Sequence, residues 1–397
     1  MASGNRIQCP SEHALREHRG GLADLRPGTP PRPKGVLPFS VLILDGESPY
    51  ALNVARCLAA APDVRTHVLS TRARATVRFS STIESFHTWD GINGARAVAE
   101  CSALAGKLGA HLCLATDEAA IEFMARHGSH VSVPCTAVPS FASLRIALDK
   151  WDLARFLTAH ALPHPATELL VRGQEALTRI AQLRFPLLLK PRCGGNGLGI
   201  HRCENMRALE HCTRGADLWG KTLVQTEIPG YDIDCSVLCR EGEVLAYTIQ
   251  KGFTGMADFR PPGGIEFLED ERVIAVMRKL MAALRWSGVA HVDLRYDSLT
   301  DRINIIEVNP RFWGSVLGSL HAGVNFPYLA CLEALGRSFA PPAFRACRYV
   351  AGATALGYWK RGRFGRSSTG FSFMDTLFWY ARRDLLPALI EPFQKNP

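Results

Sequence analysis

Apolar and polar positions change period several times along this chain, and each change marks an element. Residues 41–44 form an unbroken apolar run, the pattern of a strand buried on both faces, and end at Asp45-Gly46. Leu52, Ala55, Leu58 and Ala59 then recur at helical spacing, and a second short run covers 66–70. Strand, helix, strand argues for a small parallel α/β unit reaching about residue 130, with 110–115 as a further strand and Thr116-Asp117-Glu118 capping a helix. Asp149-Lys150-Trp151 opens a helix through Trp151, Ala154, Phe156 and Leu157 that stops before Pro163. Residues 186–191, PLLLKP, read as an apolar strand, and 223–230, LVQTEIPG, as a strand running into a Pro-Gly bend. Beyond the bend, 231–238 alternates through Asp232 and Asp234.

The strongest two-residue period lies at 289–296 and 303–309, two extended segments joined by the turn-forming 297–302. Alternation places His291, Asp293 and Arg295 on one face, with Val292 and Leu294 on the other. On the partner, Glu307 and Asn309 share a face, and Ile306 and Val308 take the opposite one. A hairpin that joins the two polar faces gathers Asp293, Glu307 and Asn309 into an oxygen-rich cluster. Such a cluster suits a hard divalent cation, Mg2+ above all, which prefers one or two carboxylates completed by phosphate oxygens and water. Arg311 follows directly and offers a planar fork to phosphate.

Glycine and lysine sharpen this picture. Lys190 sits inside the apolar strand, where an ammonium without a partner is costly, so an anion is its natural companion. Directly after it, 194–199 reads GGNGLG, four glycines whose backbone amides can approach phosphate closely. This is not a P-loop, because GxxxxGK[ST] is absent and the lysine precedes the glycines. The first strand ends in Asp-Gly-Glu-Ser rather than GxGxxG, which argues against a dinucleotide site. The Pro-Gly bend exposes backbone groups to a purine edge, and Asp232 is placed to accept from ribose hydroxyls.

Composition sets outer bounds. At 397 residues the chain is long enough for two or three domains. It is 47% hydrophobic and 21% charged, ordinary values for a globular protein. The net charge of +9 suits an anionic ligand, yet no Lys/Arg run is long enough for a nucleic-acid tract. Twelve cysteines are scattered without a CxxC pair or standard zinc spacing, the pattern of buried free thiols in a reducing cytoplasm. No apolar run reaches transmembrane length, and the Pro/Arg/Gly-rich 1–35 reads as a flexible tail without a signal-peptide core.

In this order and at this spacing, Asp149-Lys150, Lys190 with its glycine loop, 225–230, Asp293 and Glu307-Val308-Asn309-Pro310-Arg311 resemble the ATP-grasp superfamily. The run 309–315 (NPRFWGS), followed by 322–327 (AGVNFP), is similar to its ATP-dependent carboligases of the carboxylate–amine ligase branch. The resemblance implies an α/β and α+β fold: a Rossmann-like pre-ATP-grasp domain over 36–130, one ATP-grasp lobe over 131–222 and a second over 223–340, with 341–397 as an extension. It also implies that Lys150 and Lys190 contact the α and β phosphates of ATP, while Gly195, Asn196 and Gly197 lie over the β and γ phosphates as a lid. Gln225, Thr226, Glu227 and Ile228 would line adenine, the backbones of Thr226 and Ile228 reading its edge, and Asp232 would hold ribose. Asp293, Glu307 and Asn309 would ligate Mg2+ or, alternatively, Mn2+, and Arg311 would stabilise the transferring phosphoryl group.

Two positions depart from that family. His291 stands where an arginine commonly precedes the first metal-ligating acid, with Arg295 or Arg260 available to compensate. Thr226 stands where the hinge commonly carries an acid, with Glu227 displaced by one. The implied activity is an ATP-dependent ligase in the cytoplasm, a monomer or homodimer, joining a small carboxylate to an amine. The alternatives are a kinase-like or ester- or thioester-forming enzyme on the same fold, or a non-catalytic ATP-binding protein. The Gly/Pro-rich 252–267 reads as a loop over the site, and Arg260, Arg72, Arg74 and Arg78 are candidates for a substrate carboxylate. Helical spacing of large apolar residues over 372–393 predicts an amphipathic helix docked on the body, with peripheral membrane contact as the other use of that face.

Overall fold

The computed structural model describes residues 37–387 except 62, 93, 196, 215–217, 255–258 and 362–369. The tail expected over 1–35 lies outside them. Three sheets organise the described chain.

The first is parallel, in the order β3-β2-β1-β4, from β1 (Phe39–Ile43), β2 (Val64–Ser70), β3 (Ser85–Thr88) and β4 (Leu112–Leu114). Every residue of β1 is buried, as its unbroken apolar run requires. Helix α1 (Ala51–Ala59) buries Ala51, Val54, Ala55 and Leu58, one face at helical spacing. Helix α2 (Gly94–Leu108) leads into β4, and Asp117 caps α3 (Glu118–His127) by accepting from Glu118 N–H. Asp45, at the end of β1, accepts from the Thr116 N–H at 3.0 Å and the Asp117 N–H at 2.8 Å, fixing that same corner.

The second sheet is antiparallel, in the order β5-β8-β6-β7, from β5 (Thr167–Leu169), β6 (Leu187–Pro191), β7 (His201–Cys203) and β8 (Thr222–Thr226). Helices α4 (Phe141–Leu148) and α5 (Lys150–Ala159) precede it, and Asp149 caps α5 through Trp151 and Asp152 N–H. Because β8 pairs with β5 and β6, the divide between this sheet and the next falls after Thr226, not at the boundary of 222 and 223 expected from the sequence.

The third sheet is antiparallel, in the order β13-β12-β9-β10-β11-β14, from β9 (Gly230–Arg240), β10 (Glu243–Thr254), β11 (Gly264–Phe267), β12 (Gly288–Asp297), β13 (Arg302–Asn309) and β14 (Cys347–Val350). A helix over Glu271–Leu284 covers its back, burying Val273, Ile274, Met277, Leu280, Met281 and Leu284. The segment 252–267, expected as one loop, is strand at both ends; among its described residues only 259–263 connect the strands.

One apolar core runs from Phe39 and Val41 of the first sheet to Val292, Ile305 and Tyr349 of the third. The second sheet keeps a small separate core, including Leu187, Leu189, Val224 and Leu209. The chain's last described segment returns to the first sheet. Arg56 and Asp384 form a buried ion pair at 2.8 Å, and Asp384 also accepts from Ser80 Oγ and Ser81 N–H, each at 2.8 Å. The helix expected over 372–393 is, in its described part, a 3-10 turn over Phe373–Asp375 and a short helix over Leu377–Ala381. Asp375 and Asp384 interrupt the apolar period because they turn inward to fixed partners, Asp375 lying 3.1 Å from His321 Nε2. No helix among the described residues is long and apolar enough to cross a membrane.

Candidate active site

The second and third sheets face each other across a cavity of about 510 Å3, lined among others by Lys150, Lys190, Glu307, Asp293, Arg311 and Arg260. Lys190 enters it from β6, 7% exposed, and donates to Gln225 Oε1 at 2.8 Å; Gln225 in turn donates to Thr167 Oγ1 at 2.9 Å. Burial lowers the Lys190 ammonium to about 8, opposed by the nearby Glu307 carboxylate and reinforced by Lys150. Lys150, in the first turn of α5, donates to Glu307 Oε1 at 2.9 Å and to the Gly194 carbonyl. One lysine thus ties the glycine loop to the acid-bearing hairpin. Gly195 lies beside Glu307, since a Cβ placed on it would sit 3.9 Å from Oε1. Gly197 has φ +69° and packs so closely on Phe259 that a Cβ would meet its carbonyl oxygen at 1.7 Å, so only glycine fits. Asn196 lies outside the described residues.

The hairpin registers as its alternation predicts: Asp293 opposes Glu307, and His291 opposes Asn309. A bulge between Asp293 and Leu294 adds one residue to β13, so Ile306, expected on the far face, lines the cavity. On the other edge of β12, Asp293 opposes Asp234 and His291 opposes Ser236; across β9, Asp234 opposes Gln250. Two rows therefore cross the sheet toward the cleft, Glu307-Asp293-Asp234-Gln250 and Asn309-His291-Ser236-Thr248.

Three carboxylates in one row repel, and burial compounds the effect. Burial raises Asp293, with Asp234 and Glu307 adding to it; burial likewise raises Asp234 to about 7. Among the described residues, neither Asp293 nor Asp234 has a lysine or arginine within 4.0 Å; each is paired only with His291. His291 is pushed down to about 3, by burial first and then by Arg311, so its imidazole is neutral. It shares a 2.9 Å hydrogen bond with Ser236 Oγ and stacks on Trp313 at 5.5 Å.

Arg311 is fixed from several sides. It donates to Asn309 Oδ1 at 3.1 Å and to the Phe312 carbonyl at 3.0 Å, lies 3.4 Å from Glu118 Oε1, and sits over the Tyr50 ring. The N-terminal unit thus aims an arginine carried by the third sheet. At the opposite end, Asp232 accepts from Arg295 Nη1 at 2.6 Å, and Arg295 also donates to the Ile228 carbonyl at 2.5 Å. Arg295 is therefore committed to the hinge and does not replace an arginine at position 291; Arg260, between β10 and β11, does line the cavity. The Thr226 N–H donates to the Ala166 carbonyl at 2.9 Å, which removes it from any ligand. Glu227 pairs with Arg202 at 2.5 Å. Arg72, Arg74 and Arg78 are exposed on the first sheet's unit and line no part of this cavity.

Most sequence-derived site residues thus converge on one cleft: Lys150, Lys190, Gly197, Gln225, Thr226, Glu227, Ile228, Asp232, His291, Asp293, Glu307, Asn309 and Arg311 all line it. Sequence reasoning missed Asp234 as a member of the acid row, together with Gln250, Ser236, Glu118 and Tyr50. The alternation at 231–238 did put Asp232 and Asp234 on one face, and that was the available signal.

The antiparallel sheet bearing lysine and glycines, opposed to one bearing acids behind a parallel N-terminal unit, defines the ATP-grasp fold. Residues 147–315 match the ATP-grasp_3 family, described as an ATP-grasp domain, and the chain carries that domain there. Solved structures share the fold. N5-carboxyaminoimidazole synthetase from Staphylococcus aureus aligns with TM-score 0.63 at 12% identity, over 82% of this chain and 86% of that one. The L-amino acid ligase from Bacillus licheniformis aligns with TM-score 0.55 at 18% identity, over 78% and 75%. The biotin carboxylase domain of Hydrogenobacter thermophilus 2-oxoglutarate carboxylase, solved with MgADP and bicarbonate, aligns with TM-score 0.59 at 18% identity, over 78% and 73%. In sequence, the D-alanine–D-alanine ligase of Francisella tularensis subsp. novicida (strain U112) is 25% identical over 182 residues, 43% of this chain. The match spans 59% of that relative's length.

Proposed function

We propose that the chain is an ATP-dependent ligase that converts a small carboxylate into an acyl phosphate and joins it to an amine, releasing ADP and phosphate. The observation that carries this reading is the pairing across the cleft. Lys150 Nζ lies 2.9 Å from Glu307 Oε1, and buried Lys190 lines the same cavity as Asp293 and Arg311. Cations from α5 and β6 and acids from the third sheet thus converge where phosphates and their counter-ion would sit. The names of the similar D-alanine–D-alanine and L-amino acid ligases support the C–N bond.

In this reading Lys150 and Lys190 hold the α and β phosphates, and Gly195, Asn196 and Gly197 close over the terminal phosphates. Asp232 holds ribose, beside a hinge of Gln225, Thr226, Glu227 and Ile228. Since the Thr226 N–H and Ile228 carbonyl already have partners, the Ile228 N–H is the hinge group that faces a purine. Asp293, Glu307 and Asn309 fit Mg2+, with Mn2+ as the alternative: two carboxylates stand in register, and burial makes a charged Asp293 unfavourable without a cation. The ion would neutralise phosphate oxygens during transfer.

Arg311 stabilises charge on the transferring phosphoryl group and on the acyl intermediate. Its hydrogen bonds to Asn309 and Phe312 hold the guanidinium in place beforehand. The acyl phosphate hydrolyses readily, so the lid must exclude water, and the fit of Gly197 on Phe259 supports closure at that point. The carboxylate and amine substrates would meet at the end of the cavity lined by His291, Trp313 and Ser315. ADP release screened over amino-acid and amine libraries, with mass spectrometry of any product, tests the reading. A C–N product with stoichiometric phosphate supports it; a phosphorylated product, or ATP binding without turnover, rejects it.

A further inference from the structure

We propose that Asp234, His291 and Asp293 form a second divalent-cation position, sharing Asp293 with the nucleotide-linked one at Glu307 and Asn309, and that its imidazole favours a transition ion over Mg2+. The proposal does not depend on the ligase reading. Donor atoms of these three side chains lie within 4.8 Å of one another: His291 Nε2 is 3.6 Å from Asp293 Oδ1 and 3.9 Å from Asp234 Oδ2. Ligands at about 2.1 Å from a tetrahedral or octahedral ion stand about 3.0–3.4 Å apart, so closure needs shifts of roughly 0.2–0.9 Å for these two pairs.

Two of the three donors are oriented from behind, the arrangement that metal sites require. Ser236, fully buried, shares the hydrogen bond with His291 Nδ1, leaving Nε2 directed at the two carboxylates. Gln250, 3% exposed, donates to Asp234 Oδ2 at 3.2 Å and is itself held by Ser315 Oγ at 3.0 Å. Charge points the same way. The acid row carries three carboxylates, and its one lysine within 4.0 Å, among the described residues, is Lys150 at the Glu307 end. The Asp234 end faces the His291 imidazole and, among the described residues, no lysine or arginine within 4.0 Å. An organic ammonium would gain from the carboxylates and little from the imidazole, whereas an imidazole nitrogen suits transition ions such as Zn2+ and Fe2+ and not Mg2+, and Mn2+ is the paramagnetic probe of such a site. The arginine expected at position 291 would fill this spot with its own charge; histidine opens it to an ion.

The test uses the full chain, stripped with chelator and titrated with Mn2+ in the absence of nucleotide, followed by electron paramagnetic resonance. The proposal expects nucleotide-independent Mn2+ binding with a histidine-nitrogen coupling in the spin-echo modulation. That coupling should persist in Glu307→Gln and vanish in His291→Ala, and Asp234→Asn should weaken binding too. Ser236→Ala should weaken it about 10- to 100-fold. Circular dichroism identifies a misfolded variant, and Asp234→Asn then decides in place of His291→Ala. Mn2+ binding that requires ATP, that shows no nitrogen coupling, or that is lost in Glu307→Gln but kept in His291→Ala overturns the proposal. Calorimetry of MgADP on the same sample reports the nucleotide site separately, so failure here leaves the ligase reading standing.

Discussion

The two sheets that line the cleft are built on different terms. The acid-bearing sheet shares a continuous core with the parallel N-terminal unit, and its strands β9 and β12 are paired over ten residues. The second sheet encloses a small core of its own and meets the acid-bearing side through its glycine loop, Gly194 accepting from Lys150 and Gly197 packing on Phe259. A sheet that shares no buried apolar surface with its partner can rotate without exposing one. The difference teaches which half is the anvil and which the cover: the acids are held to fixed register with Lys150 on a helix of the same core, and Lys190 and the glycines arrive on the part able to move.

The largest effect should come from cutting the charges that span the two. Lys190→Ala and Glu307→Ala should each abolish ADP release, a loss of about 10²-fold or more, with folded structure retained; either variant at wild-type turnover would break the comparison at its root. Next, the cores should fail separately. Asp384→Ala leaves the Arg56 guanidinium buried and unpaired, at a cost of about 3–5 kcal/mol, and should destabilise the joined first and third sheets. Leu189→Ala, in the small core, should cost about 2–5 kcal/mol and raise amide exchange in β5 to β8 while β9 and β12 stay protected. Uniform exchange in both variants would mean one cooperative body. The smallest effect is in pH. Lys190 loses its proton above about 8 in the free protein, and a bound phosphate raises that value. ADP affinity should therefore be flat below pH 8 and fall up to tenfold per unit above it. Lys190→Arg, charged throughout, should remove the slope in calorimetry at pH 7, 8 and 9.

Much of this was legible because the information is local. A two-residue period fixes which side chains share a face, so Asp293, Glu307 and Asn309 declared themselves, and the turn at 297–302 made their partnership a hairpin. Lys190 stood out because a charge inside an apolar strand needs a partner. What stayed hidden depends on pairing across distance. Asp234 reaches Asp293 only because β9 lies beside β12, a neighbour relation that no turn announces. Arg311 meets Glu118 and Tyr50 through packing between units. Ile306 escaped because a bulge breaks the alternation from which its face was read. The tail misled for a related reason: its apolar spacing is real, but Asp375 and Asp384 are anchored elsewhere, so the helix stops short.

That anchoring has a consequence for the order in which the protein is made. Arg56 and Asp384 are 328 residues apart. While the third sheet is being synthesised, the first already holds a guanidinium with nothing opposite it and two serines without their acceptor. Its closing piece follows every strand of the third sheet, so the first unit cannot lock before the third has been made.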